Sequence, residues 1–391
     1  MKKSLLFPLS LAFCSLFYTA CQNSEAQTNT ANISPQKVDS LPTKTEKAAE
    51  KVEKKVEAKP QEKAAKPEII HIGAVGDIMM GSNYPSAASL PANDGKDVLA
   101  AVREYLLKPD IMFGNLEGVL LDKGGTAKPC GDSKNCYTFR MPQSYAQILK
   151  DYGFDVLSVA NNHANDFGDG GRASTASTLK AINMPFAGST EYPTTTFEKD
   201  GIKYGMLAVA PNRGCFELKE YDKAAEKVRE LKKTCDIVIV SFHGGAEGED
   251  YRHTPCKDEV YLGANRGNVC KLAHTCIDAG ADLLLGHGPH VTRAVEIYKG
   301  RFIAYSMGNF CTYEKFSLAG NKGIGPILNI RINNKGEFID GDIIATRQIG
   351  KGIPQIDPTG AATKEIISLS KADFPNSPLD ISADGKMTLR Q

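Results

Sequence analysis

The sequence predicts an α/β domain built around a largely parallel sheet. Short apolar runs that favour strands alternate with longer amphipathic stretches that favour helices, which is the rhythm of βαβ units. Several helical stretches lead into an aspartate followed by apolar residues, as in Asp155–Val159 and Asp236–Ser241. The part from Glu68 to Gln391 is long enough for one large α/β domain or two smaller ones.

The elements follow one another in a regular order. The predicted strands are Ile69–Val75, Asp110–Phe113, Asp155–Val159, Lys203–Val209, Asp236–Ser241, Asp282–Leu285 and Arg301–Tyr305. The predicted helices between them are Lys96–Leu107, Gln143–Tyr152, Gly171–Ile182, Glu220–Lys233 and Asn268–Ala279. Further on, Ile327–Ile332 and Phe338–Thr346 flank an Asn/Gly turn and predict a hairpin, and Thr363–Ser370 predicts a short helix.

The first twenty residues have the pattern of a secretory signal. Two lysines precede the apolar run Leu5–Ala20, which is too short for a convincing membrane span. The run ends in Tyr18–Cys21, which resembles the bacterial lipobox, although Tyr18 stands where leucine is usual. We expect a lipoprotein signal at 1–20 and lipidation of Cys21, hence a membrane-anchored protein of the cell envelope, periplasmic or surface-exposed. An ordinary signal peptide followed by a chance cysteine is the alternative.

Residues 22–68 form a polar segment of mixed charge. The segment holds nine lysines and eight acidic residues and contains no aromatic residue, so it cannot bury a core. We expect a disordered tether rich in Lys, Glu and Ala. The whole chain has a formal net charge of +1 and no basic block, which argues against nucleic acid as a main partner.

Eight cysteines remain after the signal and Cys21. They stand at positions 130, 136, 215, 235, 256, 270, 276 and 311. An even number in an exported protein predicts up to four disulfides, and none of the spacings is the Cys-x-x-Cys of a zinc ribbon. Proximity in sequence favours the pairs Cys130–Cys136 and Cys256–Cys270, and we expect most of the eight to be paired.

Polar residues follow five of the apolar runs at the point where each run ends. The clusters are Gly76-Asp77, Asn115-Leu116-Glu117, Asn161-Asn162-His163, Ser241-Phe242-His243 and Gly286-His287-Gly288-Pro289-His290. Ligands of α/β proteins bind beyond the carboxyl ends of the strands, so we expect one shared polar crevice. Carboxylate oxygens and imidazole nitrogens together are what a divalent-metal site uses.

Several clusters have a plainer explanation when each is taken alone. Asp77 could cap a helix, and the glycines around it do not fit the Gly-x-Gly-x-x-Gly of a dinucleotide site. Asn115 and Glu117 could be ordinary loop polarity. Asn161–His163 is stronger, because three hydrogen-bonding side chains after an apolar run are costly to bury without a ligand. Asp166 lies in a glycine-rich loop, where ordinary turn chemistry explains it equally well.

The histidines divide into two groups. His243 alone would more often be a structural residue, but Glu247 follows it in a loop that glycines keep free of bulk. His287 and His290 lie three residues apart in a chain with only seven histidines. His71, His253 and His274 lack such surroundings and are expected to be structural or surface residues.

Taken in order, these clusters and Tyr305–Phe310 resemble the signatures of CapA-type proteins. That family, also called PgsA-type, is linked to synthesis of the poly-γ-glutamate capsule, and six motifs in the right order are specific. The resemblance covers Ile69 to Phe310. It implies an α/β fold like that of the calcineurin-type metallophosphoesterases, a β-sandwich flanked by helices in four layers (α/β/β/α). Residues 69–346 would form this domain, and 347–391 a C-terminal extension packed on it.

In the wider metallophosphoesterase group these motifs supply ligands to two adjacent metals. The implied metal ligands are Asp77, Glu117, Asn162, His243, His287 and His290, and the implied catalytic residues are Asn162, His163 and Glu247. The expected cofactor is one or two divalent ions of manganese, zinc or iron. Met79 stands where the group has the histidine of Asp-x-His, and Glu117 stands where it has aspartate, so one metal site is expected to be altered or absent.

Two functions follow from this resemblance. The first is a lipid-anchored, metal-dependent hydrolase or transferase that cleaves a phosphoester or an amide of a glutamyl polymer, with His163 as general acid and Asn162 orienting the substrate. The second is a non-catalytic capsule component that binds or exports polymer. The expected partners are an anionic cell-envelope polymer such as poly-γ-glutamate, the membrane through the anchor, and capsule-synthesis membrane proteins.

Overall fold

Residues 66–131 and 136–390 are described by the computed structural model, and they belong to one compact unit, Glu62–Gln391. The predicted signal at 1–20, Cys21 and nearly all of the predicted tether lie outside the described residues. Within the ranges that are described, none of the helices has the length and hydrophobicity required of a membrane span.

Six α-helices and twenty strands are present in the described part of the chain. The helices are α1 (Arg103–Leu106), α2 (Tyr145–Asp151), α3 (Gly168–Ala181), α4 (Tyr221–Lys232), α5 (Val269–Asp278) and α6 (Ala361–Asp373). The strands are β1 (Ile69–Met79), β2 (Ile111–Leu116), β3 (Val119–Leu120), β4 (Arg140–Met141), β5 (Val156–Ser158), β6 (Phe186–Ala187), β7 (Thr194–Lys199), β8 (Ile202–Val209), β9 (Ile237–His243), β10 (Val260–Tyr261), β11 (Ala264–Asn265), β12 (Leu283–His287), β13 (Val295–Tyr298), β14 (Arg301–Ala304), β15 (Asn309–Thr312), β16 (Ile324–Asn333), β17 (Phe338–Ile349), β18 (Ile353–Ile356), β19 (Leu379–Ile381) and β20 (Lys386–Leu389).

Two large sheets pack face to face at the centre of the domain. The first has the strand order β19-β20-β17-β16-β1-β2-β5-β6, with β15 beside β1 and β18 beside β17, and the second has the order β13-β14-β12-β9-β8-β7. Strands β1, β2 and β5 are parallel, as are β8, β9, β12 and β14. Side chains alternate between the faces of a strand, so Ile72 and Phe113 of the first sheet meet Ile239 and Leu285 of the second in one buried core.

Helices cover the outer face of each sheet. Leu149 of α2 and Leu179 of α3 pack in an apolar cluster on the first sheet, and Val228 of α4 and Leu272 of α5 pack in a cluster on the second. The layers are therefore α/β/β/α, which confirms the predicted metallophosphoesterase-like α/β architecture.

The predicted helix Lys96–Leu107 is wrong in its extent. Only Arg103–Leu106 is α-helical, after a 3-10 turn at Ala100–Val102. Gly95 before it is left-handed with φ 79°, and Pro109 beyond it disfavours helical backbone at the preceding residue, so the apolar side chains reach the core through short turns instead. The other four predicted helices and the hairpin lie within a few residues of their expected bounds.

Half of the eight cysteines are paired. The disulfides Cys130–Cys136 and Cys256–Cys270 are present as expected. The expectation that most of the eight are paired is wrong, because four cysteines are buried and free among the residues that the structure describes: Cys215, Cys235, Cys276 and Cys311. They pack in the apolar clusters as small hydrophobic side chains, and burial raises the pKa of the Cys276 thiol to about 12.

The described chain enters the domain at the amino ends of the parallel strands. Lys66 precedes β1, and its Nζ lies 2.6 Å from Oδ1 of Asp236, which directly precedes β9. Asp236 also accepts the backbone N–H of Lys203 in the neighbouring strand at 2.9 Å. The polar clusters predicted from the sequence lie at the opposite, carboxyl ends of the same strands.

Candidate metal centre

The polar clusters meet in one crevice at the carboxyl ends of strands from both sheets. Asp77 lies near the end of β1 and Glu117 directly follows β2 in the first sheet. His243 and His287 are the last residues of β9 and β12 in the second sheet, where they stand opposite each other in register. His290 follows in the turn after β12.

Two glycines allow the backbones around this crevice to approach closely. A Cβ at Gly76 would lie 2.0 Å from the carbonyl oxygen of Gly308, which accepts the Asp77 N–H at 2.9 Å. Gly288 has φ 119°, and a Cβ there would lie 2.5 Å from the carbonyl oxygen of Gly244. Small residues beside the predicted ligands are therefore required by packing.

Asp77 holds two of the histidines in place. It is fully buried; its Oδ1 accepts from Nδ2 of Asn115 at 2.8 Å and lies 3.1 Å from Nδ1 of His287, and its Oδ2 lies 2.9 Å from Nδ1 of His290. Burial raises the pKa of Asp77, but the hydrogen bonds with His287 and His290 outweigh it and hold this pKa well below its ordinary value. Because each Nδ1 is engaged by Asp77, the Nε2 atoms are left for a ligand. His290 has φ 57°, a conformation that residues other than glycine seldom adopt.

Several oxygen and nitrogen atoms of the predicted site residues are buried without a partner in the described part of the chain. Both carboxylate oxygens of Glu117, both ring nitrogens of His243, Nε2 of His287 and Oδ1 of Asn162 have no hydrogen-bond partner among the described residues. Ligand atoms of Glu117, His243 and His290 lie within 4.8 Å of one another. Buried polar atoms are normally satisfied, so this convergence of oxygen and imidazole donors fits a divalent cation.

The protonation preferences of these groups have clear physical causes. Burial, with the nearby charge of Asp77, raises the pKa of Glu117 well above its ordinary value. Burial likewise holds the pKa of His243 well below its ordinary value, which favours the neutral imidazole that binds metals. Burial lowers the pKa of His290, but Glu117, Asp77 and Glu247 outweigh it and raise this pKa to about 10.

His163 is oriented by Asp166, which turn chemistry explained equally well in the sequence. Its Nδ1 lies 2.7 Å from Oδ2 of Asp166, which also accepts the Phe139 N–H at 2.7 Å. Nζ of Lys128 lies 2.5 Å from the other oxygen of Asp166. Nε2 of His163 is therefore the free ring nitrogen, 3.9 Å from Oε1 of Glu117. Burial lowers the pKa of His163, and the charge of Asp166 opposes that shift.

The two asparagines before His163 have different surroundings. Asn161 is saturated: its Nδ2 donates to the Leu116 carbonyl at 2.8 Å, and its Oδ1 accepts the backbone N–H of His163 at 3.1 Å. Asn162, by contrast, has a buried Oδ1 without a partner among the described residues. The structure thus gives Asn161 a structural position and leaves Asn162 available to a ligand.

The outer rim of the crevice carries side chains that the sequence did not reveal. Oε1 of Glu247 lies 2.9 Å from Nη2 of Arg266, and its Oε2 lies 3.9 Å from Nε2 of His290. The ring of Phe316 stands edge-on to His290, with 5.4 Å between ring centroids, and also contacts Phe139. Neither Arg266 nor Phe316 belongs to a polar cluster at a strand end, so no local pattern marks them.

Met79 and the remaining histidines lie away from this centre. The Met79 side chain is fully buried in the apolar cluster on the outer face of the first sheet, and it offers no imidazole to the crevice. Nδ1 of His253 lies 2.7 Å from Oδ1 of Asp373, and Nε2 of His274 lies 2.9 Å from Oε2 of Glu296. These two histidines have structural partners.

Comparisons with known proteins agree with the motifs. The capsule biosynthesis protein CapA of Bacillus anthracis is 29% identical over 257 residues, covering 60% of this chain and 58% of the relative. The PGA biosynthesis protein CapA of Bacillus subtilis (strain 168) is 27% identical over 259 residues, covering 62% of this chain and 63% of the relative. This chain therefore matches less than two thirds of the length of either relative.

A solved structure and a family model were also matched. The crystal structure of the calcineurin-like phosphoesterase YfkN from Bacillus subtilis superposes with a TM-score of 0.41 at 12% identity, covering 79% of this chain and 98% of that one. Residues 71–314, which are more than half of the chain, match the model of the family described as bacterial capsule synthesis protein PGA_cap. The chain therefore belongs to the PGA_cap family of bacterial capsule synthesis proteins, as its motifs predict.

Proposed function

We propose that this protein is an exported, lipid-anchored, metal-dependent hydrolase or transferase of capsule synthesis. Its substrate would be an anionic cell-envelope polymer such as poly-γ-glutamate, handled together with capsule-synthesis membrane proteins. The observation that carries the proposal is the set of buried, unpartnered donor atoms on Glu117, His243 and His287. Membership of the family and the names of the two Bacillus relatives support the polymer.

The donor set identifies the residues that would hold the ion. Glu117, His243 and His290 would be the principal ligands, with Nε2 of His287 and Oδ1 of Asn162 as further donors. Manganese, zinc and iron all accept mixed carboxylate and imidazole ligands. When bound, such an ion acidifies a water molecule and polarises the oxygen of the bond to be cleaved.

The chain's own residues would then handle the substrate and its protons. Asp166 fixes Nδ1 of His163, so Nε2 is the atom that would deliver a proton to the leaving group. The Asn162 amide would orient the substrate beside it. Glu247, whose Oε2 lies 3.9 Å from Nε2 of His290, would contribute a negative charge to the site.

Replacing His163 by glutamine should separate catalysis from metal binding. The variant should retain wild-type metal content but lose roughly 10²- to 10⁴-fold in turnover, the usual contribution of a general acid. We would load the purified full chain with manganese or zinc and assay it on a nitrophenyl phosphoester and on poly-γ-glutamate. Equal turnover of the variant and the wild type would contradict the role given to His163.

A non-catalytic polymer-binding protein is the second candidate. Met79 in place of a histidine and the engagement of both Asp77 oxygens by protein groups favour it. This candidate predicts polymer binding that the His163→Gln change leaves intact, without turnover of either substrate. The polymer-binding candidate replaces the hydrolase if the wild type binds neither manganese nor zinc and shows no melting shift with either ion.

The proposed anchor has its own test. A Cys21→Ser protein should lose acyl labelling and leave the membrane fraction, since one modified residue supplies the chains that hold the domain there. The measurement is fractionation of cells that express the full chain, with metabolic labelling by a fatty acid. Retention of the variant on membranes at high salt would contradict the lipobox prediction.

A further inference from the structure

Two buried arginines line the second-sheet side of the crevice, and their hydrogen bonding differs. Arg293 is saturated by its surroundings. Its Nε donates to the Tyr251 carbonyl at 2.9 Å, its Nη1 and Nη2 donate to the Glu259 carboxylate at 2.8 and 2.7 Å, and Nη2 also donates to the Ala246 carbonyl at 3.3 Å. Because its N–H groups are bonded to the protein in this way, Arg293 has a structural role. It links the loop after β9 to the segment that carries β10 and β11.

Arg266 is 6% exposed and has far fewer partners. Its Nε donates to the Gly245 carbonyl at 3.2 Å, and its Nη2 lies 2.9 Å from Oε1 of Glu247 without forming a well-aligned hydrogen bond. No hydrogen bond from its Nη1 is found within the part of the chain that the structure describes. A guanidinium has five N–H donors, and Nη2 of Arg266 is buried without a well-aligned acceptor among the described residues, which is costly. Packing alone does not account for this side chain.

The position of Arg266 relates it to the metal centre. Glu247 bridges the two, because its second oxygen lies 3.9 Å from Nε2 of His290, and that nitrogen lies 3.6 Å from Oε1 of Glu117. Arg266 is therefore separated from the nearest candidate ligand by a single carboxylate.

The segment that carries Arg266 is held firmly in place. The Cys256–Cys270 disulfide closes it, and the Arg266 N–H donates to the Glu259 carbonyl at 2.7 Å. Glu259 is in turn fixed by the two hydrogen bonds from Arg293. A donor group fixed in advance in this way binds a ligand at a lower entropic cost than a mobile one.

We propose that Arg266 binds an oxyanion of the substrate, a phosphate or a carboxylate, beside the metal centre. The inference rests on the proposed function and deepens it by assigning a recognition residue. The planar fork of a guanidinium matches either oxyanion, and Glu247 occupies only one of its edges. The proposal explains why one buried arginine of this wall is saturated and the other is not.

Calorimetric titration of the manganese-loaded full chain tests the proposal, with inorganic phosphate and glutarate as the two probes. We expect Arg266→Gln to weaken binding of at least one probe by roughly ten- to a hundredfold, as loss of hydrogen bonds to a charged group does. Arg266→Lys keeps the charge but loses the planar fork of the guanidinium. Its affinity for the probes should lie between those of the wild type and Arg266→Gln. Arg252→Gln is the matched control, since Arg252 lies in the loop after β9 and pairs with Glu365 at 2.8 Å; it should bind as the wild type does.

A double variant separates Arg266 from its carboxylate partner. If Arg266→Gln weakens anion binding only by freeing the Glu247 charge, then Arg266→Gln combined with Glu247→Gln restores it, and the proposal is overturned. Weak binding that persists in the double variant supports it. Loss confined to phosphate indicates a phosphoester substrate, and loss confined to glutarate indicates a glutamyl carboxylate.

Metal content and melting temperature are measured on every variant. Wild-type affinity for both probes in a folded, manganese-loaded Arg266→Gln protein overturns the proposal and leaves the metal centre standing. Loss of manganese from that variant also overturns it, because Arg266 then supports the metal ligands instead. If the wild type takes up no metal, the proposed function fails, and the same titrations on the metal-free protein decide the role of Arg266.

Discussion

Replacing Glu117 by glutamine should abolish the stabilisation that manganese or zinc gives, while the metal-free protein becomes no less stable. Both Glu117 oxygens are buried without a partner in the described part of the chain, and burial raises the pKa of this carboxyl, so the free protein gains nothing from its charge. In the wild type, a metal at a hundred times its Kd stabilises the fold by about 2.7 kcal/mol through mass action. Melting curves with and without metal, together with metal analysis, measure both effects.

His274→Ala provides the control for this experiment. His274 is also a histidine with a carboxylate partner, but it lies on α5 away from the crevice, so its loss should leave the metal content unchanged. A wild-type melting shift in the Glu117→Gln protein would contradict the metal centre. Marked destabilisation of that variant without metal would show instead that Glu117 has a partner in the folded protein.

Removing one partner of the Arg293–Glu259 pair should give the largest loss of stability. Arg293 is fully buried, and the Glu259 side chain is only 6% exposed. Glu259→Gln therefore leaves the positive charge of Arg293 buried without a negative partner. Breaking a buried pair in this way costs about 3–5 kcal/mol. The urea midpoint of the full chain at neutral pH measures the loss, which should also displace the loop that carries Glu247.

A double change to Arg293→Met and Glu259→Leu should recover much of that stability, because no buried charge remains. The more exposed pair of Arg331 and Asp342, with side chains 20% and 41% exposed, is the control, since Asp342→Asn should cost less than about 1 kcal/mol. If Glu259→Gln and Asp342→Asn shift the midpoint equally, the pair contributes no more than a surface ion pair.

The sequence predicts the central strands well because they are short, apolar and buried on both faces. Asp236–Ser241 differs from the observed β9 by one or two residues at each end. The short strands β18, β19 and β20 are not predicted, because exposed and buried residues mix within only three or four positions. Free Cys311 shows a further limit, since a cysteine count cannot distinguish a disulfide partner from a core residue.

The candidate site was predictable where chemistry and strand ends coincide in sequence. Asp77, His243 and His290 each follow or end an apolar run, and the sheet topology then brings them together across large separations; Asp77 and His290 are 213 residues apart. Arg266 could not be found in this way, because its importance lies in an acceptor that is missing and in a contact with Glu247 on a different loop. Such long-range pairing exists only once the fold has formed.

The ion pair between Lys66 and Asp236 lies at the end of the strands opposite the crevice. It places the start of the described domain at the amino ends of β1 and β9, whereas Asp77 lies eight residues further along β1, roughly 26 Å away at the usual rise of a strand. Any attachment that reaches the domain through Lys66 therefore joins it at the amino ends of the strands, opposite the crevice. The mouth of the crevice would face away from that attachment, whereas an attachment moved to the carboxyl ends of the strands would lie beside the mouth.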